Sequence, residues 1–155
     1  QKLIEYKDSV EISELQELYK HYRSRILKKN SYWIIWLLFK IGFFKKVKIL
    51  NRDLDSLISF DILSKNLEIS NENPDLIMHS QSLKFIFSNS FGYETLTVNG
   101  CFEEGNKNSF VQSTKVLAIE VLNNMGFYLN LSVVFRLDLF ILFKKSISRV
   151  SKKLK

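Results

Sequence analysis

Apolar residues Leu15, Leu18, Tyr19, Tyr22 and Ile26 recur at three- and four-residue intervals, which predicts a helix over about 12–29. Ser13 and Gln16 have the spacing of a capping box. Glu11, Glu14 and Glu17 early, with Arg23, Arg25, Lys28 and Lys29 late, complement the helix dipole. Asn30 or Ser31 breaks the pattern, and a second helix is expected from Tyr32 to about Lys46. It is apolar nearly all round, carries Trp33, Trp36, Phe39, Phe43 and Phe44, and is weakened near its end by Gly42. From Asp55 the period changes to two. Ile58, Phe60 and Ile62 alternate with Ser59 and Asp61, and Leu67-Glu68-Ile69-Ser70 follows the turn-like Ser64-Lys65-Asn66, so this reads as a hairpin. Pro74 closes the next loop, Asp75 to His79 supplies a short third strand, and Ser80 is placed to cap a helix through Leu83, Ile86 and Phe87 that closes at Gly92.

Leu96, Val98 and Phe102 alternate with Thr95, Thr97, Asn99 and Cys101 and predict another strand, with Gly100 as a bulge or point of close approach. After the polar loop 103–108, Ser109 caps a helix from about Phe110 to Asn124, with Val116, Leu117, Ile119 and Val121 buried, and Gly126 ends it. Residues 129–139 alternate as a strand would, yet their length and Lys-rich close favour a helix over about 131–152. The expected fold is α+β: a small curved antiparallel sheet of about four strands covered by helices, with extra N- and C-terminal helices. A single unit over about 8–150 is the simplest partition, read as an N-terminal basic helical segment, 1–53, packed on an α+β core with a basic C-terminal helix, 54–155.

Composition then removes chemistry. Cys101 is the single cysteine, so no intramolecular disulfide forms, and with only His21 and His79 beside it a structural zinc site is short of ligands. Residues 1–53, 54–143 and 144–155 carry net charges of +6, −5 and +6. A nucleic-acid-binding domain would spread its basic residues over the core, so no nucleic-acid partner is expected. Both basic flanks adjoin apolar stretches, Tyr32 to Phe44 and Phe127 to Phe143, each too short or too polar to span a bilayer. Two readings stay open. The stretches are core helices with solvated lysines, or they attach to an anionic membrane surface through Trp33, Trp36, Phe43, Phe44, Lys45 and Lys46. The opening at Gln1, without a signal peptide, leads us to expect a segment of a longer cytoplasmic protein, peripheral to the inner membrane surface in the second reading.

His79 beside Ser80 reads as a structural histidine, Cys101 as a packed small residue, and Glu103-Glu104 as a solvated strand end. Gly100 and Gly105 lack the helix opening and lysine of a phosphate loop.

Pro74 through Leu83 followed by Gly92 through Phe102, in the order short strand, Ser-x-Ser-Leu helix, Leu-x-Val-x-Gly strand, resembles the sterol-carrier-protein fold. More narrowly, Phe91 to Phe102 is similar to a C-terminal segment of metallo-β-lactamase-fold proteins related to CMP-N-acetylneuraminic acid hydroxylase; the likeness covers roughly Leu57 to Phe110. It implies a non-catalytic accessory domain serving an upstream catalytic domain of the same chain that acts on an amino-sugar or nucleotide-sugar compound. Metal would belong to a His-x-His-x-Asp-His cluster upstream, with no cofactor and no catalytic residue in this segment. The exposed set Gly92, Tyr93, Glu94, Thr95, Asn99 and Gly100 would meet that domain or a ligand. The sterol-carrier alternative is a lipid held in an apolar groove lined by Phe60, Ile62, Leu83, Phe87, Val98 and Phe102.

Overall fold

The computed structural model describes residues 8–131. Helix α1 spans Ile12–Lys29 and buries Leu15, Tyr19, Tyr22 and Ile26, the stripe its periodicity predicts. The capping box does not form, because Gln16 turns instead to the chain at 65–67, where its Oε1 accepts the Leu67 N–H at 2.8 Å. Tyr19 and Arg23 reach the same connection: the Tyr19 hydroxyl donates to the carbonyls of Asp61 and Ser64, and Arg23 Nε donates to Ile62 at 2.9 Å. Burial pushes the Tyr19 hydroxyl up to about 12.

Helix α2 spans Tyr32–Lys40, six residues shorter than expected. Gly42 takes φ +74, and the N–H groups of Phe43 and Phe44 fold back onto the Leu38 carbonyl at 2.9 and 3.1 Å. A residue free to turn left-handed thus ends the helix outright. The chain leaves it as β1 (Val47–Asn51), a strand the reading had absorbed into the helical segment. β1 is the middle of the sheet. It pairs antiparallel with β2 (Ser56–Phe60), Val47 opposite Phe60, and parallel with β4 (Leu76–Met78), Ile49 opposite Leu76. The expected division at residue 53 therefore falls inside the turn of the β1–β2 hairpin.

With β3 (Glu68–Ile69) beside β2 and β5 (Glu103–Glu104) beside β4, the order is β3-β2-β1-β4-β5. The α+β class with covering helices holds; the sheet has five strands, and one of its pairings is parallel. Val47, Ile49, Ile58, Phe60, Leu76 and Met78 form its buried face. Against it pack α1, α3 (Ser80–Ser88), α5 (Ser109–Leu117) and α6 (Ile119–Asn124), the last two replacing a single expected helix that breaks at Ala118. Tyr19, Phe60 and Phe87 meet pairwise with ring centroids 5.4–5.5 Å apart, and Tyr22 adds a contact to Phe87 at 5.2 Å. Such tilted contacts add about 0.5–1.5 kcal/mol each beyond area burial.

The strand expected over 95–102 is helix α4, Gly92–Asn99. Three β-branched residues, Thr95, Thr97 and Val98, imitated a strand, yet the Thr95 and Thr97 hydroxyls donate to the carbonyls of Phe91 and Tyr93 at 2.9 and 2.8 Å, four residues back as a helix provides. Gly100 is no bulge; at φ +62 it terminates the helix. Gly92 sits where α4 crosses α3, and a Cβ there would stand 2.6 Å from the Phe85 carbonyl oxygen. The C-terminal helix expected over 131–152 lies, beyond Leu131, outside the described residues.

Candidate functional site

The groove set does not line a groove. Phe60, Ile62, Leu83 and Phe87 close into the core, Val98 stands 82% exposed on α4, and Phe102 stacks between Tyr93 and Phe110 at 6.2 and 5.5 Å. The strand that was to bring Val98 and Phe102 onto one wall is the helix that separates them.

The contact set divides as well. Gly92 and Tyr93 are buried, the Tyr93 hydroxyl lying 2.6 Å from Thr114 Oγ1, while Glu94, Thr95, Asn99 and Gly100 are exposed. Thr95 and Asn99, with Phe85, Leu96 and Cys101, line a shallow cavity of about 340 Å³ between α3 and α4.

A Ser/His/Asp group that spacing did not suggest comes together at the head of α3. Asp53 Oδ1 accepts the Ser80 N–H at 2.8 Å, its Oδ2 accepts the Ser80 hydroxyl, and His79 Nε2 lies 3.7 Å from that Oδ2. The roles are wrong for nucleophilic catalysis, in which histidine stands between serine and carboxylate. Here serine donates straight to the acid, is fully buried, and accepts the Val10 N–H at 2.8 Å. The cluster ties the entry to α1 onto α3. It also corrects the capping assignment, since His79 is the N-cap and its Nδ1 accepts from Gln81 N–H at 3.2 Å. Burial works to raise the Asp53 carboxyl, but the two Ser80 hydrogen bonds, with help from His79, outweigh it and hold the group below its ordinary value.

The membrane set splits into three. Phe44 is buried, and Phe43 is half-buried with Lys115 Nζ 4.8 Å above its ring, so both belong to the packing rather than to a surface. The turn at Gly42 rotates them inward. Lys45 and Lys46 line a cavity of about 690 Å³ together with Lys48, Glu68, Glu72 and Asp75. Its charges already answer one another: Lys46 meets Glu68 at 2.6 Å and Lys48 meets Glu72 at 3.1 Å. Burial raises the Asp75 carboxyl despite the Lys48 N–H it accepts at 2.9 Å. Trp33 and Trp36 remain, and they are the part that stays outside.

Ile34, Ile35 and Leu38 turn α2 toward the core, which leaves Trp33, Trp36, Leu37, Lys40 and Ile41, three and four residues apart, along its outer side. Trp33 is 72% exposed. The Trp33 ring meets those of Tyr32 and Trp36 edge-on at 6.0 and 6.1 Å, and Lys40 Nζ lies 5.6 Å from the Trp36 ring centre. The sequence from Leu18 to Arg52 holds ten Lys/Arg and no acid. Distant acids neutralise several of them, Glu120 taking Arg25 at 2.7 Å and Glu103 taking Arg52. Lys28 and Lys29 just before α2, Lys40 within it and Lys45 after it form no ion pair among the described residues. A helical stripe of aromatic and aliphatic side chains accompanied by unanswered cations is therefore the feature that packing leaves unexplained. Tyr32, Leu37 and Ile41 are the members the sequence reading missed; the signal for Leu37 and Ile41 was the i, i+4, i+8 spacing from Trp33.

Among the described residues no helix is long and apolar enough to cross a membrane, and no three His, Cys, Asp or Glu side chains are placed to hold a metal ion. Comparison with family models, with curated proteins and with solved structures finds no match.

Proposed function

We propose that this chain is a non-catalytic attachment module that lies on an anionic membrane surface through the outer side of α2. The observation that carries the reading is Trp33, 72% exposed beside Trp36, Leu37 and Ile41 on a helix whose Lys40, with Lys28 and Lys29 before it and Lys45 after it, forms no ion pair among the described residues. Tryptophan and tyrosine combine an apolar ring with a polar edge, which suits the headgroup level of a bilayer. Lysine adds about 1 kcal/mol per charge near an anionic surface, or roughly a fivefold gain in affinity. The accessory role implied by the resemblance would instead seat an upstream catalytic domain against the exposed Glu94, Thr95, Asn99 and Gly100. A protein partner of ordinary interface composition would favour arginine and disfavour lysine, so the lysines favour lipid.

Cosedimentation of the whole chain with vesicles tests this. Binding to phosphatidylcholine vesicles containing phosphatidylserine is expected to exceed binding to phosphatidylcholine alone, to fall with salt, and to fall further when Lys152, Lys153 and Lys155 become Gln. Equal binding to both vesicle types would remove the electrostatic half of the reading. Binding to neither would remove the whole.

A further inference from the structure

The apolar surface does not stop at α2. Asn30, 7% exposed between α1 and α2, donates from Nδ2 to the Ile26 carbonyl at 2.7 Å and accepts the Leu129 N–H on Oδ1, also at 2.7 Å. The next residue, Ser31, donates its N–H to the Leu129 carbonyl at 2.8 Å. Two consecutive residues thus grip both backbone polar groups of a residue almost a hundred positions away. On one side of this clamp the chain reaches Trp33 in two residues. On the other it reaches Leu131, 69% exposed, in two residues, with the part-exposed Tyr128 immediately before Leu129. Each is within roughly 7 Å of chain from the clamp. The sequence beyond Leu131 is again mostly apolar to Phe143, with Arg136 and Asp138 inside it, and then carries six Lys/Arg and no acid over 144–155.

We propose that the attachment surface is bipartite: α2 and the segment 128–131 enter the same interfacial layer of an anionic bilayer, with Asn30 as the positioning residue that sets one beside the other. The inference rests on the membrane reading above and adds a second point of entry. Charge complementarity selects the occupant, because Lys28 and Lys29 stand next to the clamp without an ion pair among the described residues and residues 144–155 are a basic run. A bilayer interface meets both demands at once, taking rings and aliphatic chains at its acyl boundary and ammonium groups at its phosphates.

The two points of entry have separate reporters. Trp33 and Trp36 are the only tryptophans, so intrinsic emission reports α2 alone. A nitrobenzoxadiazole label on Leu131→Cys, in a Cys101→Ser background that leaves one thiol, reports the second segment. With phosphatidylserine-containing vesicles both signals are expected to shift to the blue, the label brightening severalfold, and both to be quenched by nitroxide lipids of the same depth. A tryptophan shift with a label that keeps its aqueous emission would overturn the bipartite surface and leave α2 attachment standing. A silent tryptophan would overturn both. Asn30→Ala, which removes both the donor to Ile26 and the acceptor for Leu129, is expected to keep the tryptophan shift and lose most of the label's response. An Asn30→Ala protein with circular dichroism unchanged and both signals intact would remove Asn30 from the positioning role.

Discussion

Helices α1 and α2 follow one another with two residues between them, and they obey the same rule on the inside and opposite rules on the outside. α1 buries Leu15, Tyr19, Tyr22 and Ile26; α2 buries Ile34, Ile35 and Leu38. Outside, α1 is polar and largely answered, Glu17 by Lys20 and Glu14 by Lys84, each at 2.6 Å. α2 presents Trp33, Trp36, Leu37 and Ile41. The energetics of folding account for α1 up to its last turn, where Lys28 and Lys29 form no ion pair among the described residues, and for only one side of α2. The other side exposes apolar area that water disfavours by about 25 cal/mol per Å², and its recovery requires something outside the described chain. The same contrast holds among the aromatics: Tyr19, Phe60 and Phe87 close a core, whereas Tyr32, Trp33 and Trp36 contact one another in the open.

The sharpest way to break this comparison is to truncate one aromatic on each side of it. Phe87→Ala, beneath α1, is expected to cost about 3–5 kcal/mol in urea unfolding. Trp33→Ser should stay within roughly 0.5 kcal/mol of the parent, as exposed substitutions do, while removing most vesicle binding. A large stability loss at Trp33 would place it in the packing and end the distinction. Next in size is Gly92→Ala. A methyl forced against the α3 backbone should destabilise by about 1–3 kcal/mol, and a neutral result would deny the close α3–α4 crossing.

Acid should then separate the two helices. Asp53, which holds the entry to α1 through Ser80, has its carboxyl below the ordinary value, so its contribution is complete above that value and is lost as pH falls through the depressed one. The urea midpoint of the parent should drop below about pH 4, the ordinary aspartate range, and Asp53→Asn should start lower and show a flatter acid limb. Parallel acid limbs would dismiss the tie. The smallest effect distinguishes lysines. Lys20→Gln breaks an exposed i,i+3 pair and should cost less than about 0.5 kcal/mol with no change in vesicle binding. Lys28→Gln with Lys29→Gln, which remove two charges from the C-terminal end of α1, should cost about 1 kcal/mol in stability and weaken binding to anionic vesicles roughly twenty-five-fold.

How far these elements were legible depended on whether a local signal agreed with the tertiary outcome. In α1, β2 and β4 the apolar period and the burial coincide, and each formed where the pattern placed it; β3 formed as expected but exposed, and α3 ends at Ser88, short of the expected close at Gly92, which opens α4 instead. Around Gly42 period and burial do not coincide. An apolar run through Phe44 looks like continuing helix, and only the left-handed turn at Gly42, together with the demand of β2 and β4 for a strand between them, makes Val47–Asn51 the sheet centre. Leu96-Thr97-Val98 alternates by accident; the helix forms there against β-propensity, with the threonine hydroxyls turned back onto carbonyls four residues earlier. At the candidate site the residue types were readable but not their direction. A helix apolar all round does not reveal which side will face water, and Phe43 and Phe44 turned inward while Trp33 did not. The Asp53–Ser80 tie and the Asn30–Leu129 clamp join residues far apart in the chain, and no local pattern announces such pairs.

The central claim is that the outer side of α2 is an interfacial surface, and tryptophan emission tests it most directly because both tryptophans lie there. On titrating the whole chain with phosphatidylserine-containing vesicles, the account predicts a blue shift that added salt reverses. Emission that stays at its aqueous wavelength at saturating lipid would contradict it.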